Sequence, residues 1–177
     1  MNEMKISIAF YKKTDSWLHK LVSRWTKSPY VHAELILPDS ETWMGISPFL
    51  ASKVSARLKK DTIPEDWDFI NFEVTQQQYE TILDFYNETK GCRYDWIGMI
   101  LSQFLPCRIK YRNRWYCSEW IAYALRIAGI FDWKVVKIYD RHDLSPGMLH
   151  KIAMQQACLS ELEKLKEDNL VNTGWLI

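Results

Sequence analysis

No stretch of this 177-residue chain approaches the roughly 18 consecutive apolar residues that a membrane span needs, so no integral membrane segment is expected. The opening residues Met1-Asn2-Glu3-Met4-Lys5-Ile6 hold no apolar run of the kind found in export signals, which predicts a cytoplasmic protein. The four cysteines, Cys92, Cys107, Cys117 and Cys158, form neither a Cys-x-x-Cys pair nor a His/Cys zinc spacing. In a reducing compartment they are expected as free thiols, and no metal or organic cofactor is implied. Charge excess is also missing. A net charge of +1 argues against general attraction to nucleic acid or to an anionic membrane, leaving only local basic patches. With no internal repeat or low-complexity tract, residues 1–177 read as one domain, large enough to sustain a single core.

Aromatic residues are abundant instead. Nine Trp, nine Tyr and seven Phe predict a core built on large rings and an aromatic-lined cleft. Lys5–Phe10 reads as a strand. Thr14-Asp15-Ser16 supplies N-cap candidates for a helix with Trp17, Leu18, Leu21, Val22 and Trp25 on one stripe, ended by Ser28-Pro29. His19 falls on that helix's polar side. Tyr30–Leu37 and Thr42–Ser47 form a hairpin about the Pro38-Asp39-Ser40 turn, with an edge-like strand at Lys53–Leu58 and another at Asp68–Val74. Thr75-Gln76-Gln77-Gln78 is a capping-box signature, and Gly91 closes the helix it opens. A further helix is expected over Tyr94–Leu105 up to Pro106, then a basic segment with Arg108, Lys110, Arg112 and Arg114. A short strand at Val135–Tyr139 precedes a long helix opened by Ser145-Pro146, with Leu149, Ile152, Gln156, Leu159, Leu162 and Leu165 near heptad spacing. Strands gathered before helices, without regular alternation, predict an α+β fold with an antiparallel sheet. The last helix packs on its own core or pairs two copies; a monomer is favoured.

The chemistry gathers at two places. After Cys117, Trp120, Ile121, Ala124, Leu125 and Ala128 recur at helical spacing, so Cys117 sits at a helix N-terminus, where unpaired N–H groups and the macrodipole favour a thiolate. Cysteine at such a place is equally known as a small buried hydrophobe. His32 lies on a strand and shares a face with Glu34, two residues on. Glu34 could orient the imidazole, or pair with an arginine. A cysteine nucleophile with a histidine base is assembled if the fold brings Cys117 to His32.

Ser28-Pro-Tyr-Val-His-Ala-Glu-Leu35, Gly91-Cys-Arg-Tyr-Asp-Trp-Ile-Gly98 and Trp115-Tyr-Cys-Ser-Glu119, in that order, resemble the circularly permuted branch of the NlpC-type papain-like cysteine hydrolases. The resemblance implies a papain-like sheet packed against helices, Cys117 as nucleophile, His32 as base and then acid, and an oxyanion met by the Cys117 N–H and a second donor. Tyr94 matches the family's Tyr-Asp motif and is that donor, a cleft residue or a buried ring. Relatives place a group that orients the histidine on the strand after the histidine strand. Here that region reads Trp43-Met44-Gly45-Ile46-Ser47, where Ser47 is the one polar candidate. Glu34, a backbone carbonyl or a water are the other ways to fill the role. Ser118 and Glu119 read as first-turn stabilisers of the helix. The resemblance implies a hydrolase or acyltransferase acting on cell-wall peptides or on acyl lipids. The alternative is a non-catalytic module, carried by a phage or prophage, that binds through its cleft or last helix.

Overall fold

The computed structural model describes residues 4–48, 52–59, 64–96, 113–132 and 144–172. Five strands, β1 (Met4–Tyr11), β2 (His32–Ile36), β3 (Thr42–Ile46), β4 (Val54–Leu58) and β5 (Trp67–Val74), form one antiparallel sheet in the order β4-β3-β2-β1-β5. The fold is therefore α+β, and the described residues include four helices: α1 (Trp17–Thr26), α2 (Gln76–Thr89), α3 (Cys117–Ile127) and the C-terminal α4 (Pro146–Asn172). β4 lies at one edge, as its weak alternation predicts, and β1 runs between β2 and β5. A small parallel pair joins β6 (Arg93–Tyr94) to β7 (Arg114–Trp115).

Strand alternation divides the sheet into two faces. Ile6, Ile8, Phe10, Ala33, Leu35, Met44, Ile46, Ile70 and Phe72 point into the main core, where α2, α3 and the start of α4 cover them. The other face carries a smaller cluster of Ala9, Ile36, Trp43 and Trp67. Every residue of β2 is buried, because both faces are covered there. α3 crosses β2 and β3, and its Trp120 indole N–H donates to Thr89 Oγ1 of α2 at 2.9 Å.

Caps follow the sequence. Ser16 Oγ accepts from the His19 N–H, and Thr75 and Gln78 make a reciprocal capping box at the start of α2. Ser145 Oγ accepts from the Met148 N–H, with Pro146 at the first helical position of α4. Two expectations are corrected. His19 is buried rather than solvated, with Nδ1 2.6 Å from Asp15 Oδ1. Tyr94 belongs to β6 rather than opening a helix. Residues 97–105 of that expected helix, Cys107, the basic segment before Arg114, His142 and the strand at Val135–Tyr139 lie outside the described residues. Along α4, Leu149 and Ile152 are buried in the core, whereas Leu159, Leu162 and Leu165 are exposed. No helix among the described residues is long and apolar enough to cross a membrane.

Candidate active site

Cys117 is the first residue of α3, and the helix rests on β2, so its N-terminus meets the strand end that carries His32. Both side chains are buried and hydrogen-bonded to each other. Burial pushes the thiol pKa up. The His32 charge and hydrogen bond, helped by the backbone N–H groups of Ala33 and Ser118, outweigh it and hold the thiol below its usual range. For His32, burial disfavours the charged ring, but the Cys117 charge and hydrogen bond, then those of Glu34, raise its pKa from 6.5 to about 9. A thiol pushed down beside an imidazole pushed up favours a thiolate–imidazolium pair near neutral pH.

Glu34 is where the two sequence readings meet. Its Oε1 lies 3.0 Å from His32 Nε2, which leaves Nδ1 as the ring nitrogen for Cys117. The same carboxylate accepts from Arg57 Nη2 at 2.6 and 2.7 Å. Burial raises the Glu34 pKa, and the His32 and Arg57 contacts overcome this and hold it below the usual carboxylate range. Arg57, on β4, was not foreseen as a site residue. Its link to Glu34 is set by register, because Arg57 pairs with Trp43 across β3 and shares the sheet face of Glu34. Gly45 lies beside Glu34, where an added Cβ would come 3.8 Å from Glu34 Cγ. Its φ of 157° is one that residues with side chains rarely adopt. Ser47 is also buried, just past the end of β3.

Tyr94 is buried and its hydroxyl hydrogen-bonds Cys117, and burial with the adjacent thiolate charge raises its pKa well above 10. The phenol therefore stays protonated, a donor beside the sulfur. Ser118 Oγ donates to Leu144 O at 2.5 Å, tying the first turn of α3 to the segment that enters α4. Glu119 and Asp95 are buried close by. On α4, His150 stacks on Tyr30 at 4.2 Å between ring centroids, and Tyr30 donates to Asp68 at 2.8 Å, so the segment leading into His32 is clamped from two sides.

No protein-family model matches this chain, and no curated protein matches it. Its chemistry rests on the site's own geometry. Cys117, His32 and Tyr94 line a cavity of about 730 Å³ whose walls are mainly apolar, with Trp17, Leu21, Val22 and Trp25 of α1 facing Trp96 and Pro48. The apolar stripe foreseen on α1 thus lines this cavity. Arg114 lines a separate recess with Lys90 and Arg93. Cys92 is half-buried and Cys158 exposed, both as free thiols. Among the described residues, no group of His, Cys, Asp and Glu is arranged to hold a metal ion.

Proposed function

We propose that this chain is a cysteine hydrolase or acyltransferase of the permuted papain-like type, acting through Cys117 and His32 on an amide or ester with an apolar acyl part. The observation that carries the reading is the meeting of a depressed thiol, a raised imidazole and a tyrosine hydroxyl in one apolar cavity. The Cys117 thiolate attacks the acyl carbon, and charge collects on the carbonyl oxygen, toward which the Tyr94 hydroxyl and the Cys117 N–H can donate. The His32 imidazolium gives its proton to the departing amine or alkoxide as the acyl–heteroatom bond breaks, leaving a thioester. Neutral His32 then takes a proton from water, or from an acceptor alcohol or amine, as it attacks the thioester; the C–S bond breaks, the acyl product leaves, and the Cys117 thiolate is restored beside the His32 imidazolium. Glu34 keeps the imidazole turned toward the sulfur, and Arg57 keeps Glu34 ionised.

Of the two substrate classes implied by the resemblance, the walls of the cavity favour acyl lipids over hydrophilic wall peptides. With Glu34 bonded to His32, the lack of a carboxylate on β3 no longer favours the non-catalytic module. The test is turnover of p-nitrophenyl esters from acetate to decanoate, with intact-mass detection of the acyl-enzyme. Rates are expected to rise by up to about fourfold per methylene that enters the cavity. Cys117→Ala is expected to abolish both turnover and adduct. The reading fails if no adduct forms on any ester and iodoacetamide labels Cys117 no faster than Cys92 or Cys158.

A further inference from the structure

α1 borders the mouth of the cavity, where Trp17, Leu21 and Arg24 line it and are at the same time open to water. Trp17 is 76% exposed and Leu21, one turn later, 45% exposed, although both are large apolar side chains. Lys20, Arg24 and Lys27 are exposed as well, and make no ion pair among the described residues. At about 3.6 residues per turn, Arg24 falls between Lys20 and Trp17, so the basic arc borders the exposed apolar arc without a gap. No acidic residue occurs between Trp17 and Lys27. Asp15, just before the helix, is engaged by His19 and Tyr11.

Charge decides what such a face suits. On α4, the exposed Leu159, Leu162 and Leu165 alternate with Glu161, Glu163, Lys164 and Lys166, a mixed pattern with no preference for an anion. On α1, tryptophan and leucine stand beside cations that make no ion pair among the described residues, the composition of helices that lie in the headgroup layer. We infer that α1 docks this protein on an anionic lipid bilayer, lying along the surface with Trp17 and Leu21 at the acyl boundary and Lys20, Arg24 and Lys27 against the headgroups. The same helix walls the cavity, so docking sets the cavity beside the lipid. Attachment does not depend on the thiol chemistry, and Cys117→Ala is expected to bind vesicles as the unaltered chain does.

The experiment is co-sedimentation of the full chain with phosphatidylcholine vesicles, with and without 30 mol% phosphatidylserine (about a third of the lipid, an anionic surface). Binding is expected on the anionic vesicles, weakened by high salt. Each basic residue near such a surface is worth about fivefold in partition, so Lys20→Ala with Arg24→Ala is expected to weaken binding roughly 25-fold. Trp17→Ala with Leu21→Ala is expected to weaken it at least about tenfold with little loss of thermal stability, because both side chains lie at the open mouth of the cavity and outside the core. Equal binding to neutral and anionic vesicles overturns the inference, as does no binding to either. A self-associating chain that Trp17→Ala turns into a monomer overturns it too, by assigning the face to a second copy. Loss of ester turnover with vesicle binding intact would sink the catalytic reading alone.

Discussion

Replacing Glu34 by Gln removes a charge while keeping the shape of the side chain, and the outcome should be read at His32. The imidazole is held at about 9 against 6.5 in an open chain, a net preference for the charged ring of about 3 kcal/mol at about 1.4 kcal/mol per pH unit. Burial works against that preference, so the favourable contacts must supply more than the net. Cys117 contributes the larger part and Glu34 the smaller. Arg57 shares the Glu34 carboxylate and offsets part of its field, so Glu34→Gln should lower the His32 midpoint, by on the order of one pH unit. The four histidines make the titration tractable by NMR on a ¹³C-histidine-labelled sample. The sign of the linkage is definite. A pKa raised in the folded state contributes stability fully present below pH 6.5 and lost as pH rises through about 9. Cys117→Ala should lower the midpoint further than Glu34→Gln, and the two together should take it below 6.5, because burial is then unopposed. An unmoved midpoint in Glu34→Gln, or a double variant still titrating above 6.5, would refute the reasoning.

Two further substitutions test how the site is supported. Arg57→Ala leaves the buried Glu34 carboxylate with the His32 imidazolium as its one remaining hydrogen-bonded cation among the described residues, and since the Arg57 side chain is 29% exposed the cost should fall below the usual range for a broken buried pair, at about 2 kcal/mol. Thermal unfolding by circular dichroism should show a melting temperature lower by about 4–8 °C, and an unchanged value would mean that the guanidinium is not needed to hold the charge. Gly147→Ala puts a methyl group within 2.5 Å of Ser28 Cβ, at the contact between α4 and the segment leading to His32. Overpacking there should cost about 1–3 kcal/mol, measured as a lower urea midpoint with the same slope, whereas a neutral substitution would show that α4 shifts freely.

What could be read from the sequence was what local chemistry decides. The capping box at Thr75, the Ser145-Pro146 start of α4, the five strands and the Cys117 helix start each depend on residues within a few positions of one another. Orientation was harder to read. Periodicity finds the apolar stripe of α1 but does not say whether it faces core, cavity or water, and the side that looked polar holds the buried His19. The heptad-like stripe of α4 likewise runs from the buried Leu149 to the exposed Leu165 under one pattern. Trp17, Lys20, Leu21 and Arg24 carried a signal of their own, since tryptophan beside unopposed cations is unusual on a face meant for a core.

Along Trp43–Ser47, where the resemblance places the group that orients the histidine, Ser47 is the one polar residue in the sequence. A carboxylate two residues from His32 reaches the same ring from β2 itself, because alternate residues of a strand share a face. That solution makes a demand on the neighbouring strands. A carboxylate 2% exposed needs positive partners, and besides the His32 ring Arg57 supplies one from two strands away. Gly45 lies beside that carboxylate on the intervening strand, where an added Cβ would stand in ordinary contact, 3.8 Å from Glu34 Cγ. Orienting the histidine and pairing with an arginine looked like alternatives for Glu34 only while the β3–β4 register was unknown. Once Arg57 falls opposite Trp43, one carboxylate contacts both the imidazole and the guanidinium, and no polar side chain on β3 is needed to reach the ring.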